Sequence, residues 1–166
     1  MLAMLEENVV LRRVQSRALA LTRSLDGVGP LLARLTVGWV FVGTGWGKLH
    51  HLDKVTAYFT ELGLPAPHAQ AALVGTTELV GGALVLVGLL TRLASLPLLA
   101  TMVVAILTAK RAELGSASDL FGFVEWTYLV LFALLALGGP GRFSLDHLLF
   151  GPRTRTAAPP LAAQTI

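Results

Sequence analysis

The sequence predicts an all-α integral membrane protein in which four apolar helices form a transmembrane bundle. Hydrophobic residues make up 54% of the 166 residues and charged residues only 14%, whereas about a quarter of the residues in soluble domains are charged. The mean hydropathy is +0.70. The apolar residues are gathered into four runs, each close to the ~17–25 residues that span a hydrocarbon core. Four such runs disfavour a soluble protein with buried helices.

Residues 1–28 are predicted to form an N-terminal amphipathic interfacial helix. Apolar residues recur at three- and four-residue steps from Met4 to Leu25, and Arg12 and Arg23 lie on another side. This spacing favours a helix that lies on the membrane surface or packs on a partner; a solvated, partly frayed helix is the alternative. No apolar segment with a small-residue cleavage site follows Arg12, so we interpret this region as part of the mature protein.

Residues 29–150 are predicted to form the transmembrane domain, after a helix break that ends at Pro30. The second and third apolar runs are joined only by Thr91-Arg92, so they should be antiparallel neighbours. The four helices are expected at about 31–47, 69–90, 93–109 and 121–138.

The segments around these helices are polar. Residues 48–68 are predicted to be a loop that contains a short amphipathic stretch around 55–62. Residues 151–166 include Pro159-Pro160 and several alanines, a composition typical of a flexible C-terminal tail.

The distribution of Lys and Arg predicts the orientation. With both termini in the cytoplasm, eight of these residues lie on the inner side and four on the outer side, which the positive-inside rule favours. The inner set is Arg12, Arg13, Arg17, Arg23, Arg92, Arg142, Arg153 and Arg155, and the outer set is Lys48, Lys54, Lys110 and Arg111. Since these residues flank the apolar runs and form no basic stripe, membrane lipid is the expected partner and nucleic acid is not.

Several cofactors are excluded by residue type. The chain has no Cys, so it can hold no iron–sulfur cluster and form no disulfide. None of its four His residues lies inside an apolar run, which disfavours a haem held between the helices. We interpret His50-His51-Asp53 as part of a solvated loop and predict no metal site.

Three ionisable residues fall within or beside the predicted membrane helices. Glu78 would lie about 12–14 Å into the second helix, with Lys48 at the outer end of the first helix and Glu125 near the outer start of the fourth. Charged side chains inside a bilayer are costly and mark a function or a pairing. We therefore expect a cluster of these three residues, with Glu78 either paired with Lys48 or neutral, as a candidate ligand site. Trp39, deeper in the first helix, is the fourth candidate because it could line a cavity.

Each of these residues also has a structural interpretation. Glu78 and Lys48 could form an internal ion pair that only fixes the helix register, and Lys48 could extend to the membrane interface. Glu125 lies close enough to the interface to be solvated, and Trp39 could simply pack. The sequence does not decide between these interpretations and a binding site.

Four motifs occur in order along the chain: Arg34-Leu-Thr-Val-Gly38, Gly43-Thr-Gly45-Trp-Gly47-Lys48, Glu78-Leu-Val-Gly81-Gly82 followed by Gly88-Leu-Leu-Thr91-Arg92, and Gly139-Pro140-Gly141-Arg142-Phe143-Ser144-Leu145-Asp146. In this order and spacing they resemble the DoxX family of small bacterial membrane proteins, over about residues 30–148. The resemblance implies a multi-pass protein of the bacterial cytoplasmic membrane. It also implies a role beside quinone-linked oxidation, because the family is named for the small subunit of a thiosulfate:quinone oxidoreductase.

Two functions are expected from these observations. In the first, the chain is a membrane subunit of a quinone-linked redox system and binds a quinone headgroup near Lys48, Glu78 and Glu125, while a partner or a diffusible substrate supplies electrons. Any enzymatic activity would then be that of an oxidoreductase subunit that depends on a partner. In the second, the chain is a non-catalytic membrane anchor or assembly scaffold. Both predict a homo-oligomer or a complex with a redox protein; a carrier or pore is the weakest alternative because no repeat is evident.

Overall fold

The computed structural model describes residues 27–151, and this part of the chain is helical without a β-strand. The all-α class predicted from the sequence is confirmed. Almost all of the predicted N-terminal helix (1–28) and of the predicted tail (151–166) lies outside the described residues. Within them, three helices are long and apolar enough to cross a membrane: α1 Val28–His50, α3 Pro67–Val87 and α4 Thr91–Thr108.

Shorter helices connect and follow these three. Helix α6, Val124–Gly138, is apolar but has only 15 residues. A 3₁₀ turn at Arg111–Glu113 follows α4. The remaining bounds are α2 Leu52–Glu61, α5 Ala117–Gly122, α6 Val124–Gly138 and α7 Leu145–Phe150.

Helix α1 is longer than the predicted 31–47, and much of the predicted loop is the helix α2. The amide of His51 donates to the carbonyl of Gly47 at 3.0 Å, which closes the last turn of α1. The polar residues from Lys48 onward mark the edge of the apolar run, but helical hydrogen bonding continues regardless of polarity. The end of the apolar run is therefore not the end of the helix.

The fourth predicted helix, 121–138, is divided at Phe123. The hydroxyl of Ser116 accepts from the amide of Asp119, whose carboxylate accepts from the Ser116 amide at 2.8 Å. This capping box starts the short helix α5. Phe123 then adopts an extended conformation (φ −74°, ψ 135°), and α6 begins at the next residue.

A tight turn joins α3 to α4 and makes them antiparallel neighbours. Gly88 (φ +74°) and Leu90 (φ +49°) both have left-handed backbone conformations. Gly88 ends α3 in the way typical of helix C-termini, where a left-handed residue is needed. Thr91 then starts α4.

The long helices pack in two pairs. Helix α1 lies against α3, α4 lies against α6, and α3 contacts α4 to join the pairs. The contact between α1 and α6 is smaller. The buried apolar core lies between these helices and includes Val37, Phe41, Val85, Leu98, Met102, Phe132 and Leu135.

The outward faces of the long helices are apolar as well. Large side chains such as Leu73, Leu93 and Leu137 are between 65% and 79% exposed. Apolar surface of this extent marks contact with a membrane or a protein rather than with water. Together with the three helices of spanning length, it identifies the chain as a membrane protein.

The two ends of the structure carry different cations. The lysine end, defined by Lys48 and Lys110, holds the end of α1 and of α4 and the start of α6. The arginine end, defined by Arg34 and Arg92, holds the start of α1 and of α4 and the end of α6. The start of α1 and the end of α6 are therefore at the same end.

Candidate functional site

Lys48 of α1 and Glu78 of α3 form an ion pair between the two helices. Lys48 Nζ lies 2.5 Å from Glu78 Oε1. The Glu78 side chain is 3% exposed and the Lys48 side chain 31% exposed, so the carboxylate is buried and the ammonium lies closer to the surface. The predicted pairing of these residues is present in the structure.

Glycines bring the two helices close enough for this pair to form. A Cβ atom on Gly82 would lie 2.8 Å from the amide nitrogen of Val42, and one on Gly38 would lie 2.8 Å from Cα of Leu86. A Cβ on Gly45 would collide with the backbone of α3 at Leu79. Only glycine therefore permits this backbone approach, as is typical where membrane helices pack.

Not every glycine of α1 serves this contact. A Cβ on Gly43 or on Gly47 would meet no atom within 4 Å. Packing of α1 against α3 therefore does not account for these two glycines. Successive helical residues are rotated by about 100°, so Gly43 lies on a different face from Gly45.

A cavity of about 770 Å³ lies beside the ion pair, towards the lysine end. Helices α1, α2, α3, α4 and α6 all contribute to its wall. Lys48, Glu78 and Glu125 line it together, as the sequence predicted for a cluster. The polar side chains among the other lining residues are Thr44, Lys54, Tyr58, Gln70, Thr77, Thr101, Thr108 and Tyr128.

Aromatic rings form one wall of this cavity. Phe41 and Tyr128 both line it, and their rings meet edge to face with centroids 5.4 Å apart. Behind them Phe132 meets Phe41 in the same way at 4.8 Å. A wall of this kind is rigid, and it suits a flat apolar ligand because aromatic edges and faces attract one another.

Glu125 enters the cavity wall from the start of α6. Its Oε2 atom is buried and has no hydrogen-bond partner among residues 27–151. Lys110 lies near it: the hydrogen bond to Glu113 raises the pKa of Lys110, and the negative charges of Glu113 and Glu125 raise it further. Glu125 is therefore close to a cation at the lysine end without a direct bond to it.

Trp39, the fourth candidate from the sequence, is not among the residues that line this cavity. The side chain is 74% exposed on the outer face of α1. Two residues along an α-helix are separated by about 200° of rotation, so Trp39 points away from the face on which Phe41 lines the cavity. Depth along the helix alone did not reveal this orientation.

Other lining residues were missed by the sequence interpretation. Tyr58 and Phe59 belong to α2, which was predicted as part of a loop. Pro97 lies inside α4 and also lines the cavity. A proline inside an apolar run was the available signal, because it removes a helix hydrogen bond and bends the helix.

A second polar cluster lies at the arginine end. Arg34 is 2% exposed, and its Nη2 donates to the carbonyl of Phe143 at 2.5 Å. A Cβ on Gly88 would collide with the Arg34 guanidinium, so the two residues are in close contact. The carboxylate of Asp146 accepts from the amides of Leu90 (2.7 Å) and Thr91 (3.0 Å). These contacts fasten the segment after α6 to the turn between α3 and α4.

Comparison with known proteins gives consistent results. The sequence profile of the DoxX family matches residues 29–111. The chain is 38% identical to "Uncharacterized membrane protein Rv3486" of Mycobacterium tuberculosis, over 76% of this chain and 86% of that protein. It is 34% identical to "Inner membrane protein YqjF" of Escherichia coli, over 76% and 96% of the two chains. It is 32% identical to "Putative oxidoreductase CatD" of Bacillus subtilis, over 74% and 88%. No solved structure matches the chain.

Proposed function

The chain belongs to the DoxX family, and we propose that it serves as a membrane subunit of a quinone-linked redox system whose cavity holds a quinone headgroup. The observation that carries this proposal is the buried Lys48–Glu78 ion pair in the wall of a cavity of about 770 Å³. Ionisable groups at such a depth in a membrane protein are costly and usually functional. Ligand cavities of ~300–1,000 Å³ are typical of small-molecule sites.

The chemistry of the wall supports an aromatic ligand that exchanges protons. Phe41 and Tyr128 offer aromatic edges and faces to a ring. Lys48 uses one hydrogen bond for Glu78, and its ammonium group has further protons to donate to a ligand oxygen. Glu78 and Glu125 are carboxylates, which can give or take the protons that accompany quinone reduction or quinol oxidation.

The electrons come from outside the chain in this proposal. Without Cys the chain has no ligands for an iron–sulfur cluster, so a redox partner or a diffusible donor supplies them. One relative is named "Putative oxidoreductase CatD", which supports redox chemistry for the present chain. The chain acts here as a subunit and not as a complete oxidoreductase.

The membrane arrangement is part of the proposal. Helices α1, α3, α4 and α6 cross the bilayer as a four-helix bundle, with α6 short for the ~17–25 residues that a full span needs. The membrane is the bacterial inner membrane, as the name of the Escherichia coli relative supports. The arginine end faces the cytoplasm, so the cavity opens towards the outer half of the bundle.

The test is extraction of bound quinone from the full chain purified in mild detergent. We expect quinone to be extracted with the wild-type protein and to be strongly reduced in a Glu78→Gln variant. Glu61→Gln is the matched control, since Glu61 is an exposed residue at the end of α2 that does not line the cavity. Wild-type protein that neither retains quinone nor binds added quinone would contradict the proposal.

The alternative function is a membrane scaffold for a partner or for further copies of the chain. It is favoured by Gly43 and Gly47, which form a smooth face on α1 that no other described residue covers, of the kind that membrane helices use for contact. Because the chain has no Cys, a single Gly43→Cys variant tests this by cross-linking in membranes. Cross-linked dimers together with an empty cavity would support the scaffold over the quinone site.

A further inference from the structure

Two residues that line the cavity carry buried carboxylate oxygens for which the described part of the chain provides no hydrogen-bond partner. Among the residues that the structure describes, six buried side-chain nitrogen or oxygen atoms lack a hydrogen-bond partner. Two of the six, Glu78 Oε2 and Glu125 Oε2, belong to residues that line the cavity. Buried polar atoms are normally paired, so unpaired ones at a cavity indicate a missing ligand or water.

Each of these carboxylates has a cation nearby. Lys48 is bonded to Oε1 of Glu78. Lys110 lies close enough to Glu125 for that residue's charge to contribute, after the hydrogen bond to Glu113, to the raised pKa of Lys110. The carboxylate oxygens of Glu78 and Glu125 accept hydrogen bonds. A ligand that donates hydrogen bonds can therefore satisfy the two unpaired oxygens.

The two redox forms of a quinone differ in this respect. A quinone presents carbonyl oxygens, which only accept, whereas the corresponding quinol presents two hydroxyl groups, which donate. Lys48 does not separate the two forms, because its ammonium can donate to a carbonyl oxygen and to a hydroxyl oxygen alike. The unpaired oxygens of Glu78 and Glu125 do distinguish the two forms, because they can accept hydrogen bonds from the hydroxyl groups of a quinol, whereas the carbonyl oxygens of a quinone have no hydrogen to donate.

We infer that the cavity binds the reduced, dihydroxylated form of its aromatic ligand in preference to the oxidised form, with the ligand's hydroxyl groups donating to Glu78 and Glu125. This inference rests on the proposed function, which supplies the aromatic redox ligand. It adds the preferred redox form and the two residues that select it. A site that holds the quinol more tightly than the quinone lowers the tendency of the bound quinol to be oxidised.

The experiment compares three ligands that share a ring and a short alkyl tail: a hydroquinone, its benzoquinone and its dimethyl ether. Binding to the full chain in mild detergent is measured by calorimetry without oxygen. We expect the hydroquinone to bind about tenfold more tightly than either of the others, which corresponds to one good hydrogen bond. The dimethyl ether keeps the shape of the hydroquinone and lacks its donors, so it isolates their contribution.

A Glu125→Gln variant tests the selecting residue. The amide of Gln can donate as well as accept, so the preference for the hydroquinone should fall several-fold while the benzoquinone binds at least as well as before. Glu61→Gln serves again as the control outside the cavity and should leave the preference unchanged. Thermal unfolding of each variant verifies that it is folded.

The outcomes separate the two proposals. Benzoquinone binding that equals or exceeds hydroquinone binding overturns the inference and leaves the quinone site standing. An unchanged preference in Glu125→Gln also overturns it as stated, because Glu125 is then not a selecting residue. If none of the three ligands binds, the proposed function itself fails.

Discussion

At the scale of single residues, the proposed site is characterised by buried carboxylate oxygens that lack a hydrogen-bond partner. Lys48 and Glu78 form an ion pair, but within the part of the chain that the structure describes one oxygen of Glu78 and one of Glu125 lack a hydrogen-bond partner. A pair that served only to fix helix register would gain from having every polar atom bonded. The unpaired oxygens beside the cavity are therefore the observation that favours the proposed ligand site over a purely structural ion pair.

The energetic coupling of Lys48 with Glu78 is the prediction at this scale. Lys48→Met leaves a buried carboxylate without its partner and should lower the free energy of unfolding by about 3 kcal/mol. Lys48→Met combined with Glu78→Leu should recover part of this loss, because both charges are then removed. A double-mutant cycle on unfolding in mild detergent measures the coupling.

The exposed pair Lys110–Glu113 provides the control for that cycle. Its nitrogen and oxygen are 3.0 Å apart, but the Glu113 side chain is 58% exposed. Solvent weakens such pairs, so we expect no measurable coupling between these two residues. Equal coupling energies in the two pairs would show that the burial of Glu78 does not strengthen its interaction with Lys48.

At the scale of helices, backbone contact between α1 and α3 positions the ion pair. Gly38, Gly45 and Gly82 lie where a Cβ would meet the backbone or Cβ of the opposite helix. At the arginine end, Asp146 holds the first amides of α4, and Arg34 holds the carbonyl of Phe143. The glycines determine how closely α1 and α3 approach each other. The contacts of Asp146 and Arg34 fix the position of the segment after α6 relative to these helices.

Two glycines of α1 that are only two residues apart in sequence give the prediction at this scale. Gly45→Ala forces a methyl group into the backbone of α3 at Leu79 and should destabilise the protein by about 1–3 kcal/mol. Gly43→Ala places the same methyl group where nothing lies within 4 Å, so it should be neutral or slightly stabilising. Unfolding temperatures in the same detergent compare the two variants.

A similar loss in both variants would contradict the one-sided packing of α1 against α3, because it would mean that α1 contacts something on both faces. A loss in Gly43→Ala that appears only in native membranes, and not in purified monomers, would instead reveal a contact between chains. Either result bears directly on the scaffold alternative.

At the scale of the whole molecule, both ends of the helical domain lie at the arginine end. The start of α1 and the end of α6 are joined there through Arg34 and Phe143. If four helices cross the membrane, the chain before α1 and the chain after α6 are on the same side. The Lys and Arg distribution predicts that this side is the cytoplasmic one.

The prediction at this scale is therefore a cytoplasmic location for both termini. A reporter enzyme that is active only outside the cytoplasmic membrane, fused after Ile166, should be inactive. The same reporter inserted at Gly63, in the turn between α2 and α3 at the lysine end, should be active. Activity of the C-terminal fusion would reverse the orientation and place the cavity on the cytoplasmic side.

The sequence by itself determined the helical class, the approximate positions of the apolar runs and the family. These follow from local properties: hydropathy along the chain, the cost of charge in lipid, and the order of short motifs. The same reasoning selected Lys48, Glu78 and Glu125, because each is unusual for its depth whatever it contacts.

Only the tertiary structure decided which side chains share one cavity. Trp39 and Phe41 are both apolar and two residues apart, yet one faces outward and the other lines the cavity. Gly43 and Gly45 look alike in the motif, yet only one touches α3. Helix α2 contributes Tyr58 although the polarity of its segment predicts a loop. Rotation and contact depend on packing between segments that are distant in sequence, and hydropathy carries no information about them.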